Sequence, residues 1–141
     1  MIVVKANTEA QLQDAFNIRK TVFVEEQKVP IELEIDEFEN NSDHFVLYSK
    51  DTPVGAGRFR LLEGKGKLER ICVLSDQRGT GAGKKLMNEI EHYAKKSGIN
   101  VLKLNAQTYA IPFYEKLGYS VVSEEFLDAG IPHKTMEKNI T

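Results

Sequence analysis

The chain has 141 residues, of which 41% are hydrophobic and 28% are charged, and its formal net charge is −2. These values are ordinary for a globular protein and show no excess of basic residues of the kind that binds nucleic acid. The single cysteine, Cys72, excludes an internal disulfide framework. We therefore expect one domain over residues 1–141, a cytoplasmic location, and neither a signal-peptide core nor a membrane-spanning run.

The first half of the chain predicts one helix followed by several strands. Residues 2–5 are apolar enough for a strand, and Thr8 with Gln11 has the spacing of a capping box that begins a helix. Segments 44–49, 54–62 and 68–74 predict three antiparallel strands. The acidic segment 31–41 is interpreted as a solvated loop or short helix, with a substrate-facing lid that attracts a cationic amine as the alternative.

The second half predicts a parallel strand–helix–strand unit and a closing hairpin. An apolar helical stripe runs from Leu86 to Ala94, and a strand over 101–105 follows it, which requires a right-handed crossover. Further predictions are a helix over 107–117, a strand over 119–123, a turn at 126–130 and a strand over 133–138. The fold class is therefore α/β, with a mixed, mostly antiparallel sheet of six to seven strands flanked by about four helices.

A glycine-rich loop lies between the strand at 68–74 and the following helix. Residues 75–83 are Ser-Asp-Gln-Arg-Gly-Thr-Gly-Ala-Gly, and glycines at a helix N-terminus leave backbone N–H groups free to bind a phosphate or pyrophosphate. A P-loop would need glycine and Ser or Thr where Arg78 and Lys85 stand. A dinucleotide fingerprint starting at Gly79 would need glycine at Lys84, so neither standard nucleotide loop fits.

Two motifs resemble those of one enzyme family. The pattern Arg78-x-x-Gly81-x-Gly83 resembles the coenzyme A pyrophosphate loop of the GNAT superfamily of acyl-CoA-dependent N-acetyltransferases. Residues 112–119, Pro-Phe-Tyr-Glu-Lys-Leu-Gly-Tyr, resemble the second motif of that family, and both motifs stand in the family's order. Residues 130–136, Gly-Ile-Pro-His-Lys-Thr-Met, further resemble the ElaA/YjcF-like subgroup.

The resemblance implies a GNAT fold and an enzyme that transfers an acetyl group from acetyl-CoA directly to a primary amine. Acetyl-CoA would be the co-substrate, without a metal, and the acceptor would be a small-molecule or peptide amine. Neither nucleic acid nor a membrane is expected as a partner, and a homodimer is left open. Two alternatives remain: an acyl-CoA-binding sensor or interaction module without catalysis, and a nucleotide-binding protein.

The resemblance also implies individual roles. Tyr114 would protonate the departing thiolate, and Glu69 would act as a base through water, although an ion-paired strand glutamate is an equal alternative. Strand alternation places Glu69 on one face with Ile71 and Val73, and His133 and His44 are further titratable candidates for the substrate side. Gln107 stands where many family members have asparagine. The implied cofactor contacts are Ile71, Cys72, Val73, Gln77, Arg78, Gly79, Thr80, Gly81, Ala82, Gly83, Gln107 and Tyr114.

Overall fold

A computed structural model describes residues 1–141 and contains eight strands and four α-helices. The strands are β1 (Ile2–Lys5), β2 (Asp43–Ser49), β3 (Thr52–Leu62), β4 (Lys65–Val73), β5 (Val101–Gln107), β6 (Ser120–Val121), β7 (Phe126–Asp128) and β8 (Ile131–Asn139). The helices are α1 (Glu9–Arg19), α2 (Ile31–Glu34), α3 (Ala82–Lys96) and α4 (Ile111–Lys116). A π-helical segment, Lys20–Glu26, continues α1 toward the sheet.

All eight strands form one sheet in the order β1-β2-β3-β4-β5-β8-β6, with β7 paired to β8. Only β4 and β5 are parallel, so the prediction of a mixed, mostly antiparallel sheet is confirmed. The additional strand is β7, within a segment that the sequence predicts as a turn. Ala129 and Gly130 both have positive φ and join β7 to β8 as a two-residue hairpin. Alanine is uncommon at such a position, which weakens the hairpin signal.

The helix predicted over residues 107–117 begins later than expected. Strand β5 continues to Gln107 because that residue still pairs with His133 of β8. A 3-10 turn, Thr108–Ala110, then leads into α4, where Pro112 occupies the first turn, the position that tolerates a missing N–H.

The helices cover the two faces of the sheet. The largest core cluster places Leu86 and Ile90 of α3 against the sheet and against aromatic residues near α4. On the opposite face, Ala15 and Ile18 of α1 pack on the sheet. The helix α1 begins as predicted, because the Thr8 hydroxyl accepts a hydrogen bond from the backbone N–H of Gln11 at 3.1 Å. No helix is both long and apolar enough to cross a lipid bilayer.

The acidic segment 31–41 is only partly solvated, whereas the preferred interpretation made it a solvated loop or short helix: Glu32 and Glu37 are exposed, but Glu34 is buried and Asp36 and Glu39 are half-buried. Arg19, which is fully buried, bonds the carboxylates of Glu34 and Glu39 at 2.8 Å each. Arg58, also fully buried, bonds Asp36 at 2.7 Å. Buried guanidinium groups require such partners, so the side chains of Glu34, Asp36 and Glu39 turn inward toward α1 and β3. We call these side chains, together with Glu69, the buried ion network.

Candidate functional site

The central feature of the sheet is a split between its two parallel strands. β4 and β5 are paired from Gly66 to Leu68, opposite Leu102 to Leu104, and then diverge. Beyond this point β4 pairs only with β3, and β5 pairs only with β8. The strands therefore present unpaired backbone edges to a cleft of about 500 Å³. A ligand with an extended amide-containing chain can bind such an edge as an added strand would.

A β-bulge at Arg70 changes which side chains face the cleft. Arg70 has φ 56°, and the register with β3 shifts between Ala56 and Arg58. The Glu69 side chain consequently lies on the α1 side of the sheet, where it bonds Arg58 of the buried ion network. The Ile71 side chain lies on the opposite side and packs against the core beneath α3. The prediction that alternation places Glu69, Ile71 and Val73 on one face is therefore wrong for Glu69.

Gly57 makes the close packing beside the bulge feasible. A Cβ atom at this position would lie 2.8 Å from Cδ1 of Ile71 and 3.0 Å from Cδ1 of Ile90. Both distances are shorter than ordinary carbon–carbon contacts, so a side chain here would force the ends of the Ile71 and Ile90 side chains to move.

The glycine-rich loop lies at one end of the cleft. Gly79 and Gly81 have φ 79° and 87°, and no atom lies within 4 Å of where their Cβ atoms would be. Gly81 is also the N-cap of α3, where no side chain caps the helix and no acidic residue lies in the first turn. The first-turn N–H groups of this 15-residue helix thus have no capping side chain, an arrangement suited to an anion.

The predicted loop residues contribute unequally. Arg78, Gly79 and Gly83 line the cleft, together with Ile71, Cys72 and Val73 of β4. Gln77, Thr80 and Gly81 lie in the loop but outside the cleft lining, and the Thr80 hydroxyl donates to the Gln77 carbonyl oxygen at 2.5 Å. The Ala82 side chain is buried in another apolar cluster, which leaves only its backbone available to a ligand.

Two contacts tie the segment after α1 to both walls of the cleft. Arg78 donates to both carboxylate oxygens of Glu26 at 2.8 and 3.0 Å, and to the Val73 carbonyl oxygen at 3.0 Å. On the other wall, Gln107 donates to the side-chain oxygen of Gln27 at 2.8 Å. Both Arg78 and Glu26 are more than two-fifths exposed, so their ion pair contributes at most about 1 kcal/mol and can exchange for another anion.

Tyr114 is buried at the cleft wall, and its hydroxyl has no hydrogen-bond partner within the protein. Its ring packs edge-on against Phe113 and Tyr119, which fixes its direction. Burial, reinforced by the nearby Tyr109 and Cys72, raises the pKa of the Tyr114 hydroxyl well above its ordinary value. The phenol is therefore protonated at neutral pH and free to donate to a group in the cleft.

Glu69 lines the cleft but is fully engaged by cations. Its carboxylate bonds Arg58 at 2.8 Å, Arg60 at 2.7 Å and Lys67 at 3.2 Å. Burial opposes its ionisation, but these three cations outweigh burial and lower the pKa of Glu69 to about 2. A carboxylate held in this state is a poor proton acceptor, so the geometry favours the ion-paired alternative over the base.

The buried ion network predicts an acid-sensitive stability. The pKa of Glu69 is lowered from 4.5 to about 2 in the folded protein, and the pKa values of Asp36 and Glu39 are lowered too. Depressed carboxyl pKa values stabilise the fold above the unfolded-state pKa. The free energy of unfolding should therefore be steady down to about pH 5 and fall between about pH 4.5 and pH 2.

Urea unfolding, followed by circular dichroism at each pH, measures this free energy of unfolding. A Glu63→Gln variant is the control, because Glu63 is exposed and lies outside the network, and it should keep the same acid profile. A free energy that is flat from pH 5 to pH 2.5 would contradict the prediction.

Cys72 and the two predicted histidines have different surroundings. Burial raises the pKa of the Cys72 thiol to about 12, so no thiolate nucleophile is available. His133 lines the cleft from β8. His44 does not line it, contrary to expectation, because its Nε2 lies 2.9 Å from the Glu39 carbonyl oxygen, against the buried ion network.

Several cleft residues were not predicted because no short motif marks them. The segment between α1 and α2 contributes an apolar wall, and the 3-10 turn before α4 contributes an aromatic side chain. These residues are Phe23, Gln27, Val29 and Tyr109. Leu33 and Glu34 of α2 also line the cleft, and they lie in the acidic segment for which a substrate-facing lid was the alternative interpretation. Phe23, Gln27 and Val29 come to the cleft because the segment after α1 is bonded to both cleft walls, through Glu26 to Arg78 and through Gln27 to Gln107. No group of three or more His, Cys, Asp or Glu side chains has an arrangement that could hold a metal ion.

The chain and its fold have clear counterparts among known proteins. The acetyltransferase (GNAT) domain family model matches residues 6–140, and the chain belongs to this family. It is 56% identical over 140 residues to the uncharacterised N-acetyltransferase YjcF of Bacillus subtilis (strain 168), covering 99% of this chain and 100% of YjcF.

Two solved structures have the same fold. An acyl-CoA N-acyltransferase from Pseudomonas aeruginosa superposes with a TM-score of 0.85 at 25% identity, covering 97% of each chain. Escherichia coli ElaA superposes with a TM-score of 0.88 at 23% identity, covering 99% of this chain and 100% of ElaA. The resemblance to the GNAT family and to its ElaA/YjcF-like members is thus confirmed.

Proposed function

We propose that the protein transfers an acetyl group from acetyl-CoA to a primary amine of a small molecule or peptide. The observation that carries the proposal is the split between β4 and β5, because it joins an anion-binding loop to a buried, unpartnered phenol. Membership of an acetyltransferase family supports the reaction class, and the Pseudomonas aeruginosa neighbour is named for acyl-CoA.

The cleft matches the three chemical parts of the donor. Its loop end, with Gly79, Gly83 and the uncapped N-terminus of α3, suits a pyrophosphate. Its middle, along Ile71 to Val73, offers unpaired strand edge to the amides of a pantetheine arm. Its wall carries the Tyr114 hydroxyl, which can protonate a thiolate leaving group.

Calorimetric titration with acetyl-CoA, with ATP and NAD run in parallel, tests the donor. We expect acetyl-CoA alone to bind, with a dissociation constant on the order of micromolar. Arg78→Glu should abolish this binding, because it places a carboxylate where the pyrophosphate would lie and leaves Glu26 without its cation. Unchanged affinity in a folded Arg78→Glu protein would contradict the loop assignment.

Glu26→Gln is the matched control for this titration. It removes only the charge that competes for Arg78, so acetyl-CoA should bind at least as tightly as to the wild type. Transfer is then measured with acetyl-CoA and a panel of spermidine, tyramine, glucosamine and a lysine-containing peptide with a free N-terminus. Binding without transfer to any of them would support the acyl-CoA-binding module instead.

A further inference from the structure

His133 is positioned in β8 so that one ring nitrogen is used by the protein and the other is free. Its side chain is buried, lines the cleft and stacks on Phe126 at a centroid distance of 5.9 Å. Nδ1 lies 2.6 Å from the carbonyl oxygen of Ile131. A carbonyl oxygen only accepts, so Nδ1 carries the proton, and the neutral ring presents the lone pair of Nε2.

The other potential proton acceptors in the cleft are occupied or misplaced. Glu69 is held by three cations, as described above. Glu34 bonds Arg19 through Oε1, and its Oε2 is enclosed by the protein. Asp128 is exposed at the β7–β8 turn, where water competes for its oxygens. Among the buried groups of the cleft wall, His133 is the one whose lone pair, on Nε2, is not used by another protein group.

We propose that His133 is the general base of the transfer, accepting at Nε2 a proton from the ammonium form of the acceptor. The proposal rests on the proposed function, since it requires acetyl-CoA and an amine in the same cleft. His133 and Tyr114 would then divide the proton chemistry, the histidine on β8 taking a proton from the acceptor and the tyrosine on α4 donating one to the leaving group.

The step balances without a further reactant. The acceptor ammonium gives one proton to Nε2, and the resulting amine lone pair forms a C–N bond to the thioester carbonyl carbon. The C–S bond breaks, and the departing sulfur takes the Tyr114 proton. The tyrosinate recovers a proton from the newly bonded nitrogen, which leaves an amide, free coenzyme A and one proton on His133 for release to water.

The charges around His133 are mixed, so no single sign dominates. On the strand facing it, β5, it pairs with the neutral Gln107, and β7 contributes Phe126. The titratable and charged side chains on the cleft walls are Glu34, Lys67, Glu69, Arg70, Cys72, Arg78, Tyr109, Tyr114 and Asp128.

His133→Asn is the informative substitution. The asparagine amide can replace the Nδ1–H bond to Ile131 but has no acceptor at the Nε2 position. With the best amine of the panel, kcat/KM should fall by about a hundredfold or more, the acidic limb of its pH profile should disappear, and acetyl-CoA affinity should stay within about twofold. His92→Asn is the matched control: His92 is exposed on α3 outside the cleft, and its kinetics should equal those of the wild type.

Each outcome identifies what has failed. A wild type that acetylates none of the four amines overturns the proposed function and the base with it. If the wild type is active and the His133→Asn protein is equally active, or keeps the acidic limb of its pH profile, the assignment of His133 as the base is overturned and the proposed function is not. Long-range proton–nitrogen NMR of the histidine ring gives a readout independent of turnover: we expect a protonated Nδ1 and a bare Nε2, and the opposite tautomer would overturn the assignment.

Discussion

Replacing Tyr114 with phenylalanine should lower the maximal rate of acetyl transfer by about a hundredfold or more, the usual contribution of a general acid. The phenol is buried at the cleft wall with no hydrogen-bond partner in the protein, so its loss leaves no unsatisfied group and little change in packing. Acetyl-CoA affinity should consequently change little. Single-turnover kinetics with saturating acetyl-CoA, together with calorimetry, separates the two effects.

Tyr119→Phe is the matched control for this substitution. Tyr119 is buried in the same aromatic cluster, with its ring centroid 6.0 Å from that of Tyr114, but it does not line the cleft. Its variant should transfer acetyl at the wild-type rate. If Tyr114→Phe were equally active, the tyrosine would be a packing residue, and protonation of the leaving thiolate would have to come from water or another group.

Replacing Arg58 with methionine should destabilise the fold by about 3–5 kcal/mol, as expected when one partner of a buried ion pair is removed. The guanidinium is fully buried and bonds Asp36 at 2.7 and 3.0 Å and Glu69 at 2.8 Å. Methionine fills much of the volume but leaves these carboxylates facing each other without their shared cation. Urea unfolding at pH 7 measures the loss.

An exposed ion pair provides the comparison. Lys65 bonds Glu137 at 2.8 Å between β4 and β8, but the lysine is 40% exposed, so Lys65→Met should cost no more than about 1 kcal/mol. Similar losses for the two substitutions would contradict the view that burial determines the strength of the network. The Arg58 variant should also lose part of the acid sensitivity described above, since Arg58 is one of the cations that lower the pKa values of Asp36 and Glu69.

The parts of the fold that could be predicted are those in which local pattern and tertiary structure agree. The capping box at Thr8 begins α1, the apolar stripe of α3 packs on the sheet, and the glycine spacing from Gly79 places an open loop at the N-terminus of that helix. Each of these signals involves residues that are neighbours in sequence. The two family motifs are also made of residues that are neighbours in sequence.

The missed features depend on contacts between distant segments. The acidic run 31–41 is interpreted as solvated because sequence alone does not show that Arg19 and Arg58 point into it. The bulge at Arg70 shifts the strand register, which reverses the face expected for Glu69, and no glycine at that position signals a positive φ. Glu26 bonds Arg78, which lies 52 positions further along the chain, and Gln27 bonds Gln107, which lies 80 positions further along. No local sequence pattern covers such separations.

The contact between Glu26 and Arg78 has a consequence for which ligands can enter the loop. Glu26 is an anion attached to the protein, so it competes for the guanidinium at an effective concentration on the order of millimolar. Inorganic phosphate or chloride must displace this internal anion with a single contact and is therefore disfavoured. If the loop binds a ligand as proposed, a ligand that also pairs along β4 would gain additional interaction with which to displace Glu26, and the ion pair would therefore favour long, strand-like anions.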